Sequence, residues 1–253
     1  MLSRQDDLRG DVARILIDRP PLNILDLATI GRLRQELQTA LADTTVSLVE
    51  IHGSPKAFCA GVEIGDHFPE RAAAMLTEFH ALIRSVLYAR LPVITVVQGF
   101  CLGGGMELAL ASDFVVAAED ATFGQPEIAV GCFAPVASVL LPSLIPEKIA
   151  LEMLLTGKQI SGIEAERLGL VNRLAPAAAL DLALARFRQE LLGQSPAVVA
   201  LARKAARLSS RAGFEASLRE AERIYMDELL KTEDAVEGLQ AFLEKREPQW
   251  RGR

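Results

Sequence analysis

The chain has 253 residues, half of them hydrophobic, and a formal net charge of −6 at neutral pH. That length and apolar share suffice for one substantial core with an extension, and the acidic balance, with a pI of about 5.3, argues against a nucleic-acid surface. The opening M-L-S-R-Q-D-D is charged and no apolar run approaches the roughly 20 residues of a membrane span, so a cytoplasmic protein without a membrane partner is expected.

Residues 12–18 read as a strand. Arg19, Pro20 and Pro21 follow, then a helix from about Asp26 whose Leu27, Ile30, Leu33, Leu37 and Leu41 share one stripe. Residues 47–52 form a second strand. The run F-C-A-G-V-E-I at 58–64 reads as a short strand or loop, and Pro69-Glu70 opens a helix to about Tyr88 with Leu76, Phe79, Ile83 and Leu87 on its apolar face. His80 sits beside that face. It is a candidate pocket-lining residue, a surface or satisfied core histidine being the commoner outcome, and the same holds for His67 and His52. No two histidines have the spacing of a metal pair, so no metal is expected.

The stretch 97–131 is the unusual one. Residues 91–97, rich in Val and Ile, read as a fully buried strand. Gly103, Gly104 and Gly105 then open an apolar helix to about Ser112, although each glycine costs roughly 0.5–1 kcal/mol against alanine. Something must approach that backbone closely. The unpaired N–H groups of a first helical turn suit an anion or a polarised carbonyl oxygen, and Glu107, three residues after Gly104, lies on the same helix face. Alone, Glu107 could be an ordinary acid in a first turn, and so could Glu127 after Pro126. Together, two inward carboxylates beside an oxygen-binding helix end would supply a base, an acid and an electrophile. Gly99 and Gly104 have the frame of a phosphate-binding loop, but Gly105-Met106 stands where Lys-Ser/Thr is required, and no G-x-G-x-x-G follows a strand.

Cys59, Cys101 and Cys132 are an odd count amid apolar or glycine neighbours, which suits reduced packing residues. After Gly131 the pattern turns helical: a helix over 147–156, then Ser161 and Glu164 as a capping box before 165–168, a strand-like V-N-R-L at 171–174, and a largely helical remainder from a boundary near Ser195. Arg203, Lys204, Arg207 and Arg211 lie at near-helical spacing, either as a solvated face or as contacts for a phosphate group. Strand and helix alternate through Ala118, which argues for an α/β fold.

The segments F-C-A-G-V-E-I, G-F-C-L-G-G-G-M-E-L-A at 99–109 and F-G-Q-P-E-I at 123–128 resemble the enoyl-CoA hydratase/isomerase, or crotonase, superfamily. The resemblance runs from R-P-P-L-N at 19–23 to A-F-L-E-K-R at 241–246. It implies a crotonase-like spiral of ββα turns as the core, residues 1–195, with a C-terminal helical oligomerisation region, 196–253, that forms trimers or paired trimers. It also implies that the backbone N–H groups of Val62 and Gly104 bind a thioester oxygen, that Glu107 and Glu127 are the catalytic carboxylates, and that Ala60, His80, Phe133, Phe242 and Lys245 contact an acyl-CoA substrate. Phe242 and Lys245 match positions near coenzyme A that a neighbouring subunit often supplies. No cofactor is expected, coenzyme A being part of the substrate.

Where ordinary enoyl-CoA hydratases carry P-G-x-G-G after the second glutamate, this chain has A-P-V-A-S at 134–138, so the loop beside Glu127 is expected to be reshaped. That segment, with D-H-F-P-E at 66–70 and D-A-V-E-G-L-Q-A-F-L-E-K-R at 234–246, resembles the cyclohexa-1,5-diene-1-carbonyl-CoA hydratases of anaerobic aromatic degradation. An ordinary 2-enoyl-CoA hydratase or isomerase is the alternative. A noncatalytic CoA- or RNA-binding member of the fold is disfavoured by the two glutamates and the acidic pI.

Overall fold

A computed structural model describes residues 1–5, 11–208 and 213–253. Among these residues two sheets run side by side. The larger has the order β1 (Leu2–Gln5), β2 (Asp11–Leu16), β3 (Val46–His52), β5 (Val93–Val97), β7 (Phe114–Ala118) and β10 (Arg173–Ala175). The smaller has the order β4 (Ala57–Cys59), β6 (Phe100–Leu102), β8 (Thr122–Gly124) and β9 (Gln159–Ser161). The chain therefore winds as a spiral. Each of β3, β5 and β7 lies in the first sheet and is followed within a few residues by β4, β6 or β8 in the second, and successive turns stack in parallel.

Helices close the turns. α1 (Leu27–Ala42) starts at Asp26, whose side chain accepts the Thr29 N–H at 2.8 Å, and buries Ile30, Leu33 and Leu37 against the sheet. α2 (Pro69–Leu87) follows β4 and buries Leu76, Phe79, Ile83 and Leu87, the stripe expected from its spacing. α3 (Gly104–Ala111) follows β6 and is buried all round, which is why its sequence has no polar face except Glu107. α4 (Pro135–Leu144), α5 (Glu147–Thr156) and α6 (Gly162–Arg167) come next, and the capping box of Ser161 and Glu164 forms in both directions. The strand expected at 171–174 is displaced to Arg173–Ala175. Leu170 and Val171 are drawn into the core, and Asn172 spends its side chain on the Val115 N–H at 2.8 Å.

After α7 (Leu180–Leu192), α8 (Pro196–Ala206) begins one residue past Ser195. The helices Phe214–Asp227 and Glu233–Glu244 fold back on the spiral, the first against α4 and the second against the turn after β8. Among the described residues no helix is long and apolar enough to cross a membrane.

The basic cluster is neither a solvated face nor a free anion site. Arg203 turns inward, giving Nε to Asp113 at 2.6 Å and its other nitrogens to the Ala89 and Val86 carbonyls, while Arg207 grips Asp113 at 2.9 Å and the Ser112 carbonyl at 2.7 Å. Lys204 stays exposed, and Arg211 lies outside the described residues. The physical reason is the buried Asp113, which also accepts the Val93 N–H and would be costly unpaired. The two arginines thus clamp α8 to the start of β5 and the end of α2. Replacing Arg203 with Met should lower unfolding free energy by about 3 kcal/mol, read from urea denaturation; a loss of less than about 1 kcal/mol, the scale of a surface pair, would contradict the clamp.

Candidate active site

The site grows from the step between β6 and α3. Gly103, the cap of α3, has φ +51° and ψ −127°, a conformation that residues with a side chain rarely adopt. A Cβ there would also collide with Oε1 of Glu127, and one on Gly104 would come within 2.7 Å of Val62 Cγ2 and 3.1 Å of Phe79 Cζ. The glycines therefore let three segments converge on one helix end: the Val62 loop, α2, and the Pro126–Val130 turn that bears Glu127.

Two backbone donors are free at this junction. Gly104 is the first residue of α3, so its N–H has no acceptor within the helix. Val62 forms an isolated parallel bridge with Leu25, but the bonds are those of its neighbours: Leu25 N–H to the Gly61 carbonyl and Glu63 N–H to the Leu25 carbonyl, each 2.9 Å. The Val62 N–H is left on the opposite edge, with no acceptor among the described residues. The R-P-P-L-N segment fixes this geometry from below. Buried Asn23 donates to the Ala57 and Phe58 carbonyls at 2.9 and 3.2 Å and accepts the Arg19 N–H at 2.9 Å.

Glu107 sits in the first turn of α3, 4 % exposed, and its Oε1 accepts the Ala137 N–H at 2.8 Å. That donor comes from the start of α4, where Pro135 occupies the first helical position. The A-P-V-A-S segment, expected as a loop beside Glu127, is a helix N-terminus, and it delivers its N–H groups to Glu107. Burial pushes Glu107 up to about 7, against the pull of the Ala137 and Val136 N–H groups. Burial, and then the charge of Glu107, pushes Glu127 up to about 8. Glu127 is half-buried as a residue, yet its Oε2 is enclosed without a partner among the described residues. Two carboxyl groups that resist ionisation beside free N–H donors can hold one proton between them at neutral pH, one group serving as base and the other as acid.

The remaining residues divide. Ala60 stands half-buried just before Val62, its N–H held by the Leu22 carbonyl at 3.0 Å. Phe133 is half-buried five residues beyond Ile128 and meets the ring of Tyr225 edge-on at 5.3 Å. His80 is fully buried and bonds Glu222 through Nδ1 at 2.5 Å, so it stands behind Phe79, whose ring is the α2 group that reaches Gly104. Burial lowers the His80 imidazole below its ordinary value, against the pull of Glu222. Phe242, 54 % exposed, and Lys245 lie at the far end of the last helix, whose Gly238 packs on Val130, and within this chain they do not join the glutamates. The cysteines are buried, and burial pushes the Cys59 thiol up to about 12 and that of Cys132 up to about 11, so neither is a nucleophile. Sequence reasoning missed Phe79 as a site residue, although its place on the apolar stripe was plain, and missed Tyr225 altogether.

Comparison with known proteins agrees with this geometry. The enoyl-CoA hydratase/isomerase family model matches residues 7–253. A cyclohexa-1,5-dienecarbonyl-CoA hydratase of Thauera aromatica is 39 % identical over 246 residues, 96 % of this chain and 94 % of that protein. A carnitinyl-CoA dehydratase of Citrobacter koseri is 34 % identical over 258 residues, 96 % of each. The crystal structure of an enoyl-CoA hydratase from Mycobacterium avium subsp. paratuberculosis superposes with a TM-score of 0.86 at 26 % identity, covering 99 % of this chain and 98 % of that one. The two-sheet spiral and the matched length together place this chain in the enoyl-CoA hydratase/isomerase family, as a hydro-lyase of acyl-CoA thioesters.

Proposed function

We propose that the chain adds water 1,4 to cyclohexa-1,5-diene-1-carbonyl-CoA, giving 6-hydroxycyclohex-1-ene-1-carbonyl-CoA. The observation that carries the hydration chemistry is the buried pair Glu107 and Glu127 at the open end of α3. The choice of the ring dienoyl substrate is supported by the 39 % identity to the Thauera aromatica protein, above the 34 % to carnitinyl-CoA dehydratases.

In this reading the thioester oxygen lies between the N–H groups of Val62 and Gly104, and Ala60 and Phe133 border the acyl group. Addition of hydroxide to the β-carbon drives electrons through the conjugated system onto that oxygen, where each donor stabilises the dienolate by about 3 kcal/mol. The water gives its other proton to the base. The dienolate then takes a proton at the γ-carbon, so hydroxyl and hydrogen add to the two ends of the diene and the α-carbon gains none. Glu107 is the better base, because the α4 N–H groups stabilise its anion. Glu127, with its unpartnered Oε2, keeps its proton to higher pH and is the better acid. The reaction consumes only water, with coenzyme A carried on the substrate. Phe242 and Lys245, exposed here, would meet the coenzyme of a neighbouring copy in a trimer or paired trimers; sedimentation that finds only monomers removes that contact.

Replacing either Glu107 or Glu127 with Gln should lower kcat by about 10²- to 10⁴-fold, with KM nearly unchanged. Wild-type turnover in either variant would end the two-carboxylate scheme. The base works ionised and the acid protonated, so kcat should fall as pH drops below about 7 and again as it rises above about 8. To test the substrate, the protein is mixed in D2O with cyclohexa-1,5-diene-1-carbonyl-CoA and, separately, with crotonyl-CoA, and the products are read by mass spectrometry. Deuterium at the γ-carbon of a hydrated ring, with little crotonyl turnover, is expected. Preference for crotonyl-CoA with deuterium at the α-carbon would make the protein an ordinary 2-enoyl-CoA hydratase.

A further inference from the structure

Tyr225 comes from the helix Phe214–Asp227, far in sequence from every segment of the site, and it is fully buried. Its hydroxyl lies 2.9 Å from Nδ1 of His67, in the segment that follows Val62, and against the thiol of Cys132, in the segment that follows Glu127. Its ring meets Phe133 edge-on. Cys132 in turn gives its N–H to the Glu127 carbonyl at 3.0 Å. One phenol therefore joins the oxyanion-side loop to the acid-side turn.

Burial pushes the His67 imidazole down to about 4, so it is neutral, and burial keeps both the phenol and the Cys132 thiol in their protonated forms. With its proton on Nε2 the imidazole accepts the Tyr225 O–H at Nδ1, and with its proton on Nδ1 it donates to the phenol oxygen. In either tautomer the phenol ties His67 to Cys132. The titratable groups that face this hydroxyl are His67, Cys132, Glu127 and Glu107, the last two acting on it through their charge. Glu222, one turn back on the same helix, is engaged by His80 and Arg84 of α2.

We propose that Tyr225 is a positioning residue for Glu127: held by His67, its hydroxyl and ring fix Cys132 and Phe133, and through them the turn that aims the acid at the substrate. The proposal rests on the reading of Glu127 as the catalytic acid. It assigns to the C-terminal helix a part in the chemistry that a mere cover over the core would not have.

The test compares Tyr225→Phe, His67→Ala, the double variant and Glu127→Gln in kcat, KM and pH profile on the turned-over thioester. Tyr225→Phe should lower kcat about tenfold with KM within about twofold, since a small misplacement of a reacting group costs rate rather than binding. His67→Ala, which leaves the buried phenol in place, should do the same, and the double variant should lose no more than either single one, as members of one unit do. A Tyr225→Phe or His67→Ala enzyme whose kcat matches the wild type overturns the proposal, and so does a loss that follows only thermal unfolding or KM. Turnover by Glu127→Gln at the wild-type rate would instead defeat the parent reading. An inactive Glu127→Gln beside a Tyr225→Phe enzyme of wild-type kcat defeats this proposal alone.

Discussion

The site depends on the contact between a helix N-terminus and two other backbone segments at a separation that no side chain allows. Gly103 touches the Glu127 carboxyl, and Gly104 meets Val62 and Phe79. Glycine weakens the start of α3, but without it the Val62 loop and the Glu127 turn would stand apart. The spiral supplies what the glycines lack. β4, β6 and β8 stack in parallel, so the ends of successive turns arrive at the same level, one bringing Val62, one α3 and one Glu127. Val62, α3 and Glu127, separated in sequence, are thus brought together by sheet register.

Desolvation is the second element of the account. Burial raises the carboxyl of Glu107 out of its ordinary range, and burial together with the charge of Glu107 raises that of Glu127. The two groups then differ in their partners. α4 aims its first N–H groups at Glu107, whereas Glu127 has an enclosed oxygen with no partner among the described residues. In the proposed hydration, that difference in surroundings suits one carboxyl to serve as base and the other as acid, without any change in residue type.

Much of this was legible in the sequence because it depends on local signals. The stripe of α2, the box of Ser161 and Glu164, and the glycines before Glu107 each declare themselves within a few residues. What was not legible depends on long-range partners. Arg203 read as part of a solvated face because nothing near it in sequence announces Asp113, 90 residues earlier. Tyr225 lies 158 residues from His67, and the Ala137 N–H that holds Glu107 belongs to a backbone, which has no residue-type signature. The change from glycines to A-P-V-A-S was visible, but not that the segment's N–H groups hold the other glutamate. Pro135 starts a helix there, and helix ends act along their axis rather than on their sequence neighbours.

The central claim is that Glu107 and Glu127 share a proton at neutral pH in the free enzyme. Infrared difference spectroscopy of protein carrying ¹³C-labelled glutamate, titrated from acid to alkaline pH, reads it directly. The account predicts a protonated-carboxyl band that persists above the ordinary glutamate range and is lost in coupled steps near 7 and 8, with the upper step absent from Glu127→Gln. Full ionisation of every glutamate by about pH 5.5, as for solvated carboxyls, would contradict it.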